Sequence, residues 1–323
     1  MGLPHHEYWP WWTLLAPFWP RWIWYGIRSR CLTWFTVVNP GIEDGGFMGE
    51  SKMAILDIIP EEFKPKTIFI PVKGPSKSFD KFPFIAKPDI GGRGRKVQVI
   101  ENPKQLADYH QSMDEDYMLQ EIIPGPLELG VYYTRHPEEE KGQIISLASK
   151  AFLEVIGDGQ SSIKELMAQD DRAAKQIERL SSKLDLEVIL PSGESKILEP
   201  IGNHVRGTAF INEEARINDE LNATFDKICA KIHGFYYGRF DIRVPSWEDL
   251  YAGRNISILE LNGLTSDPAH IFDPNYRLRD VFKTQRKHIK IAYGIARYHL
   301  KNGVKATPIL ELMRKSMPSI REL

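Results

Sequence analysis

Two short stretches, Arg239-Phe240-Asp241 and Glu260-Leu261-Asn262, constrain this chain more than any other feature. Each sits in a run of branched and aromatic residues with alternating polarity, Tyr236 to Val244 and Ile256 to Leu261, and such alternation predicts β-strands. The segment between them, Pro245 to Asn255, is polar and carries Pro and Gly, so the two strands can pair as neighbours. Side chains two apart in a strand share a face. Arg239 and Asp241 therefore point one way and Phe240 and Ile242 the other, while Glu260 and Asn262 lie opposite Leu259 and Leu261. Pairing would bring two carboxylates and a carboxamide together. Hard oxygen donors of this kind suit Mg²⁺, which is usually held by one or two carboxylates while substrate phosphates fill other positions. The same residues also describe a half-solvated hairpin with a charged outer face, and on these residues alone both readings stand.

Further signals lie upstream. Ile85 to Arg95 runs from a short apolar strand through Lys87 into a turn containing Gly91, Gly92 and Gly94. A glycine-rich loop can press backbone N–H groups against phosphate oxygens, and a lysine adds a mobile point charge. The stretch is neither a P-loop, which needs Gly-Lys-Ser/Thr, nor the dinucleotide pattern with its following helix; taken singly it is also an ordinary hairpin turn. Tyr117 to Gly125 reads as a strand running into a turn, with Glu128 on the next strand. Such a junction can offer backbone donors and acceptors to an adenine edge.

In this order the pieces resemble the ATP-grasp superfamily, whose members include D-alanine–D-alanine ligase and cyanophycin synthetase. The resemblance runs from about Gly46 to Asp273. It implies an α+β fold in which two α/β lobes hold ATP between antiparallel sheets. Lys52 and Lys87 match the phosphate-contacting lysines, and Gly91, Gly92 and Gly94 the mobile loop over the phosphates. Gln120, Glu121, Ile122 and Ile123 match the hinge that reads adenine, and Glu128 the acidic residue after it. Arg239 matches the arginine facing the transferred phosphate; Asp241, Glu260 and Asn262 match the Mg²⁺ ligands. Gly157 to Ile163 is similar to the Gly-Asp-Gly turn before a helix in the cyanophycin synthetase branch. The implied organisation is a Trp/Pro-rich N-terminal segment (1–45), a small lobe (46–123), a large lobe with the Mg site (124–303) and a C-terminal tail (304–323). Related ligases open with a larger α/β lobe than these 45 residues can form, so substrate identity does not carry over.

Composition is compatible with such an enzyme. Its 323 residues can bury a substantial core and hold two or three lobes. With 42 basic and 43 acidic residues there is no basic footprint for nucleic acid. Cys31 and Cys229 form no disulfide framework or metal pattern, which makes a reduced, cytoplasmic protein the default expectation. Seven of the eight tryptophans fall in the first 45 residues, among Pro10, Pro17 and Pro20. A spanning helix needs about 20 predominantly apolar residues; Arg21, Arg28 and Arg30 interrupt this run, and the prolines break helical pairing. Its charge order is the reverse of a secretory signal. One reading is an interfacial belt at the inner membrane face, with Trp at headgroup depth and arginines drawn to anionic lipid. The other, slightly favoured, is an aromatic arm packed across the catalytic lobes.

Elsewhere the patterns predict a helix over Met53–Ile59, one over Pro103–Ser112, strands over Leu127–Thr134 and Gln143–Val155, and helices over Ser162–Leu180, Asn218–His233 and Leu278–Lys301. The loop Asn39 to Gly46 carries carboxylates that either bind a substrate amine or are simply solvated. Arg206 could hold a substrate carboxylate and His204 could assist proton transfer; a loop histidine beside a surface arginine is the plainer reading. Lys150, ending a strand, is a candidate phosphate contact from the large lobe. Thr265 to His270 follows the metal strand and is expected near the γ-phosphate or the acceptor.

Three functions stay open at this point. The resemblance favours an ATP- and Mg²⁺-dependent ligase that joins small-molecule carboxylate and amine substrates through an acylphosphate. A kinase acting on a hydroxyl would use the same phosphate machinery, and a membrane- or partner-binding protein would keep nucleotide only as a structural ligand.

Overall fold

The structure, a computed structural model, describes residues 5–47, 49–92, 94–200, 202 and 206–320. Its strands are β1 (Thr67–Ile70), β2 (Phe84–Pro88), β3 (Gln98–Ile100), β4 (Tyr117–Glu121), β5 (Leu127–Thr134), β6 (Gln143–Ala151), β7 (Leu153–Ile156), β8 (Ser195–Glu199), β9 (Ala209–Asn212), β10 (Tyr237–Val244) and β11 (Ser257–Asn262). They form a four-stranded sheet β1-β4-β2-β3, a five-stranded sheet β11-β10-β5-β6-β9 and a two-stranded ribbon β7-β8. Every pairing is antiparallel. Helices and antiparallel sheets segregate as in the expected α+β class.

Alternation assigns each sheet its two faces. On the small sheet, Phe84, Ala86, Tyr117 and Leu119 pack against Leu106 and Tyr109 of the helix Pro103–Ser112, leaving Ile85, Lys87 and Gln120 on the opposite face. Asn102 starts that helix by accepting from Gln105 N, with Pro103 at its first position. On the large sheet, Leu129, Val131, Phe240, Ile242 and Val244 cover Leu221, Phe225 and Ile228 of the helix Asp219–Cys229. Its other face meets the helix Leu278–Lys301 and Trp34 through Tyr132 and Tyr237. That helix bounds the expected span, ending at Asn302 with Gly303 at φ +84°.

Two expected elements are divided. The stretch Gln143–Val155 breaks at Phe152, and its halves join different sheets. The helix expected over Ser162–Leu180 is three short helices, Ile163–Ala168, Asp171–Ala174 and Ile177–Ser181. Asp170 restarts it by accepting from the backbone N–H of Arg172 and Ala173. The apolar positions Ile163, Met167 and Leu180 remain buried in their own cluster, because three turns at similar spacing present the same stripe.

The aromatic segment packs onto the large lobe. Trp34 is fully buried, its indole Nε1 donating to the Trp22 carbonyl (3.2 Å), and Tyr25 stacks on Tyr293 at 3.8 Å. Behind it, the buried Asn39 side chain donates to the carbonyls of Gly45 and Tyr237 and accepts from the N–H groups of Tyr236 and Tyr237. The Asn39–Gly46 loop is thus a structural strut rather than a solvated turn. Its carboxylates are engaged by the C-terminal residues: Thr307 and Lys315 hold Asp44, and Lys315 also reaches Glu43. The region expected as a tail contains a helix, Ile309–Ile320.

Candidate functional site

Between the two sheets lies a cleft of about 920 Å³. Register places its large-lobe wall: Arg239 pairs with Asn262 and Asp241 with Glu260, so all four share one face, as alternation requires. Across the strand on the other side, Arg239 pairs with Tyr132, Asp241 with Gly130 and Arg243 with Glu128. At Gly130 a Cβ would lie 3.3 Å from Arg239 Cδ and 3.4 Å from Ala269 Cβ, so the bare backbone leaves room for the arginine beside the strand.

A chain of buried ion pairs runs along this wall. Arg239 Nε and Nη2 reach Asp241 Oδ1 (2.7 Å) and Oδ2 (3.3 Å), and Nη1 donates to the Asp267 carbonyl (2.8 Å). Lys150 Nζ bridges Asp241 Oδ2 (3.3 Å) and Glu128 Oε1 (2.8 Å). Arg243 donates to Glu128 and to the Ile123 carbonyl. Burial alone would raise the Asp241 pKa, but Arg239 and Lys150 hold it at about 2. Burial likewise works against the charge on Lys150, and Asp241 with Glu128 more than offsets it, raising its pKa. Lys150 and Glu128, expected as nucleotide contacts, are thus also structural partners of each other.

The four-stranded sheet contributes the facing wall. Lys87 Nζ donates to Gln120 Oε1 (3.0 Å), whose Nε2 donates to Thr67 (3.3 Å). Burial lowers the Lys87 pKa, against the pull of Glu260 and other carboxylates. Glu121 also lines the cleft, and its carboxylate accepts from Lys66 N (2.7 Å). The backbone of Ile122 has no hydrogen bond among the described residues, and Ile122 lines the cleft beside the apolar Ile85, Val99 and Leu259. Contrary to strict alternation, Leu259 shares the cleft with Glu260, because a register shift leaves it unpaired between Ile258 and Glu260.

Over this opening hangs the glycine-rich loop. Gly91 and Gly94 have φ +129° and +73°, values that L side chains adopt only under strain. Lys52 Nζ donates to the carbonyls of Asp89 (3.2 Å) and Gly91 (2.5 Å), tying the loop to the start of the helix Lys52–Ile58. Arg206 donates to the carbonyls of Gly94 (2.8 Å) and Val97 (3.1 Å) from the far lobe. Sequence allowed Arg206 either a substrate carboxylate or a plain surface position; in the structure its guanidinium holds the loop. Charged hydrogen bonds are worth about 1.5–3 kcal/mol. Arg206→Ala should therefore speed amide hydrogen exchange in the peptide spanning residues 91–97 by about tenfold or more, with little change elsewhere. Unchanged exchange there would remove the latch.

Other expectations are placed differently or not at all. His204 lies outside the described residues. Thr265 lines the cleft and Asp267 supports Arg239, but His270 is fully buried against Ser146 (2.5 Å), and burial lowers its pKa to about 4. Glu50 was missed. It lines the cleft, burial raises its pKa, and the charge of Glu260 raises it further. Its only sequence signal was its place beside Lys52.

The donor set fits Mg²⁺. Among the described residues no three His, Cys, Asp or Glu side chains cluster as a self-sufficient metal site, but Mg²⁺ commonly takes only one or two carboxylates and completes its shell with phosphates and water. Asp241 is ionised, and the Glu260 side chain has no hydrogen bond or ion pair among the described residues. The buried Asn262 Nδ2 is also without a partner. A carboxamide flip exchanges nitrogen for oxygen at that orphaned position, which is where a cation would want an acceptor.

No protein-family model matches the chain, and no curated protein matches it. It is similar to solved structures of the kind its sequence resembles. The D-alanine–D-alanine ligase from Bacillus anthracis is 15% identical, with 77% of this chain and 69% of that one covered at a TM-score of 0.44. A bifunctional glutathione synthetase from Pasteurella multocida is 15% identical over 72% of this chain, at a TM-score of 0.39, and the match spans only 35% of that longer protein. The ATP-grasp ligase PsnB, solved with a minimal precursor, is 15% identical, covering 74% and 60% at 0.36. None of these likenesses transfers a residue's role.

Proposed function

We propose that this chain is an ATP- and Mg²⁺-dependent ligase that activates a carboxylate as an acylphosphate and couples it to an amine. The observation that carries the reading is the juxtaposition of Arg239, Asp241, Glu260 and Asn262 on one cleft wall with Lys87 and the glycine-rich loop on the other. Adenine would lie against Ile85, Val99 and Leu259, its edge on the free backbone of Ile122. Asp241, Glu260 and Asn262 would hold Mg²⁺, which when bound neutralises phosphate charge. Lys87 and Lys52 would approach the phosphates from the small lobe and Arg239 from the large one. As the γ-phosphoryl moves to the acid, these fixed cations stabilise the charge developing on its oxygens without reorganising. The amine then attacks the acyl carbon, phosphate leaves, and the amine proton passes to solvent or a cleft carboxylate. The latched loop keeps water from the acylphosphate.

The test is ADP formation with Mg²⁺ and a panel of amino acids, dipeptides and small amines, followed by phosphate release and product mass. The expected product has the mass of acid plus amine minus water, with one phosphate released for each bond formed. A phosphorylated product without phosphate release would replace the ligase by a kinase. Tight Mg–ATP binding with no turnover on any acceptor would favour a non-catalytic nucleotide-binding protein.

A further inference from the structure

The helix Trp19–Ser29 has two unlike sides. Its inner side is fastened: Trp22 meets Trp34 at 4.8 Å between ring centroids, Tyr25 stacks on Tyr293, and Gly26 is buried. Its outer side carries Trp19, Ile23, Trp24 and Ile27, exposed at 56%, 58%, 57% and 59%. At 100° per residue these four fall within one arc, and Arg28 and Arg21 follow at its edge. Large apolar side chains exposed singly need no explanation, but four contiguous on a rigid helix do.

Two more observations say what covers this face. From residue 8 to residue 42 the chain has no Asp or Glu, yet it carries Arg21, Arg28 and Arg30 in a protein of net charge −1. None of the three makes an ion pair or side-chain hydrogen bond among the described residues. Unpaired guanidinium groups beside tryptophan and aliphatic side chains complement a surface that is anionic outside and apolar beneath. Further exposed apolar side chains lie outside the helix. Leu32 is exposed, and Thr33 Oγ1 donates to the Thr307 carbonyl (2.7 Å), which brings up the start of the helix Ile309–Ile320 with exposed Ile309, Leu310 and Met313.

We propose that this face docks the protein onto an anionic lipid bilayer, with the helix lying in the interface plane. Trp19 and Trp24 sit at headgroup depth, Ile23 and Ile27 enter the acyl boundary, and Arg21, Arg28 and Arg30 meet lipid phosphates. An 11-residue helix is about 16 Å long, half the hydrocarbon thickness, and no helix among the described residues is long and apolar enough to cross a membrane. Attachment is therefore superficial and reversible. Because the inner side is already packed, the face is presented without a folding step, which lowers the ordering cost of binding. This docking is independent of the chemistry assigned to the cleft.

The experiment is co-sedimentation of the full chain with vesicles of phosphatidylcholine alone and of an equimolar mixture with phosphatidylglycerol. Binding to the mixed vesicles is expected at low salt, weakening as salt is added. Ile23→Ser with Trp24→Ser should lower partitioning on the order of a hundredfold, since each side chain gives up about tenfold or more when it cannot be buried. Arg21→Glu with Arg28→Glu should lower binding to the mixed vesicles by at least about twentyfold and leave phosphatidylcholine binding unchanged. Circular dichroism should show both variants folded, because every substituted side chain faces outward or sits at the rim. No binding of the wild type to mixed vesicles, or equal binding by the Ile23/Trp24 variant, would overturn the proposal. So would concentration-dependent dimerisation in light scattering that the same variant abolishes, which would assign the face to a second copy of the chain.

Discussion

Glu260→Gln should reduce turnover by roughly 10²–10³-fold while leaving the thermal unfolding temperature nearly unchanged. Glu260 lies directly opposite Asp241 on the cleft wall, yet among the described residues its side chain forms no ion pair and no hydrogen bond. Its charge acts without direct contact, favouring the charged Lys87 against burial and raising the pKa of Glu50 nearby. A carboxylate without a hydrogen-bond partner, beside an ionised aspartate and an orphaned carboxamide, is the arrangement that the proposed Mg²⁺ would complete. Steady-state ADP formation against Mg²⁺ concentration is the measurement, and the variant should need more metal as well as turn over slowly. Near wild-type rates at ordinary Mg²⁺ would remove Glu260 from the metal set. Asp241→Asn is the less informative change, because Asp241 neutralises Arg239 and Lys150 in a buried position. Its folded pKa of about 2 is depressed relative to an ordinary carboxylate. Its stabilisation is accordingly present above about pH 4 and lost as pH falls from there toward 2. Loss of activity in Asp241→Asn would mix a missing metal ligand with a loosened wall; Glu260→Gln separates them.

What the sequence disclosed was whatever short-range periodicity determines. Alternation in Arg239-Phe240-Asp241 and Glu260-Leu261-Asn262 is enough to set faces, and pairing of neighbouring strands does the rest. The helices Pro103–Ser112 and Leu278–Lys301 were legible because each carries its own start or stop signal, Asn102-Pro103 in one and Asn302-Gly303 in the other. The break at Phe152 was not, since an apolar run looks continuous whether or not its halves enter one sheet. Nor could sequence show that Lys150 is shared between Glu128 and Asp241, or that Arg206 reaches Gly94, because those partners are 22, 91 and 112 positions away. Glu50 belongs to the same class. Its significance comes from lining the cleft where Glu260 acts on it, a proximity that no local pattern encodes.

Trp34→Ala should cost about 3–5 kcal/mol of stability, whereas the outward Trp24→Ala should cost almost none. Both residues come from the same tryptophan-rich stretch, and composition alone gives no reason to separate them. Trp34 has no exposed surface; its ring meets those of Trp22, Tyr25, Phe35 and Tyr293, and its N–H is satisfied by the Trp22 carbonyl. Truncation leaves a cavity among stiff rings, and the Trp22 carbonyl, inside the helix Trp19–Ser29, loses the indole as its additional donor. The damage should also spread, because the cluster around Trp34 includes Tyr132 and Tyr237, on the two strands that carry Gly130, Arg239 and Asp241. For a chain of this size a loss of that order lowers the unfolding temperature by about 5–15 °C, which differential scanning calorimetry would resolve. A small shift would mean that the aromatic segment is an appendage with its own independent packing. The expected large one makes the segment a structural part of the large lobe, so the surface formed by Trp19, Ile23, Trp24 and Ile27 is held in fixed orientation to the cleft.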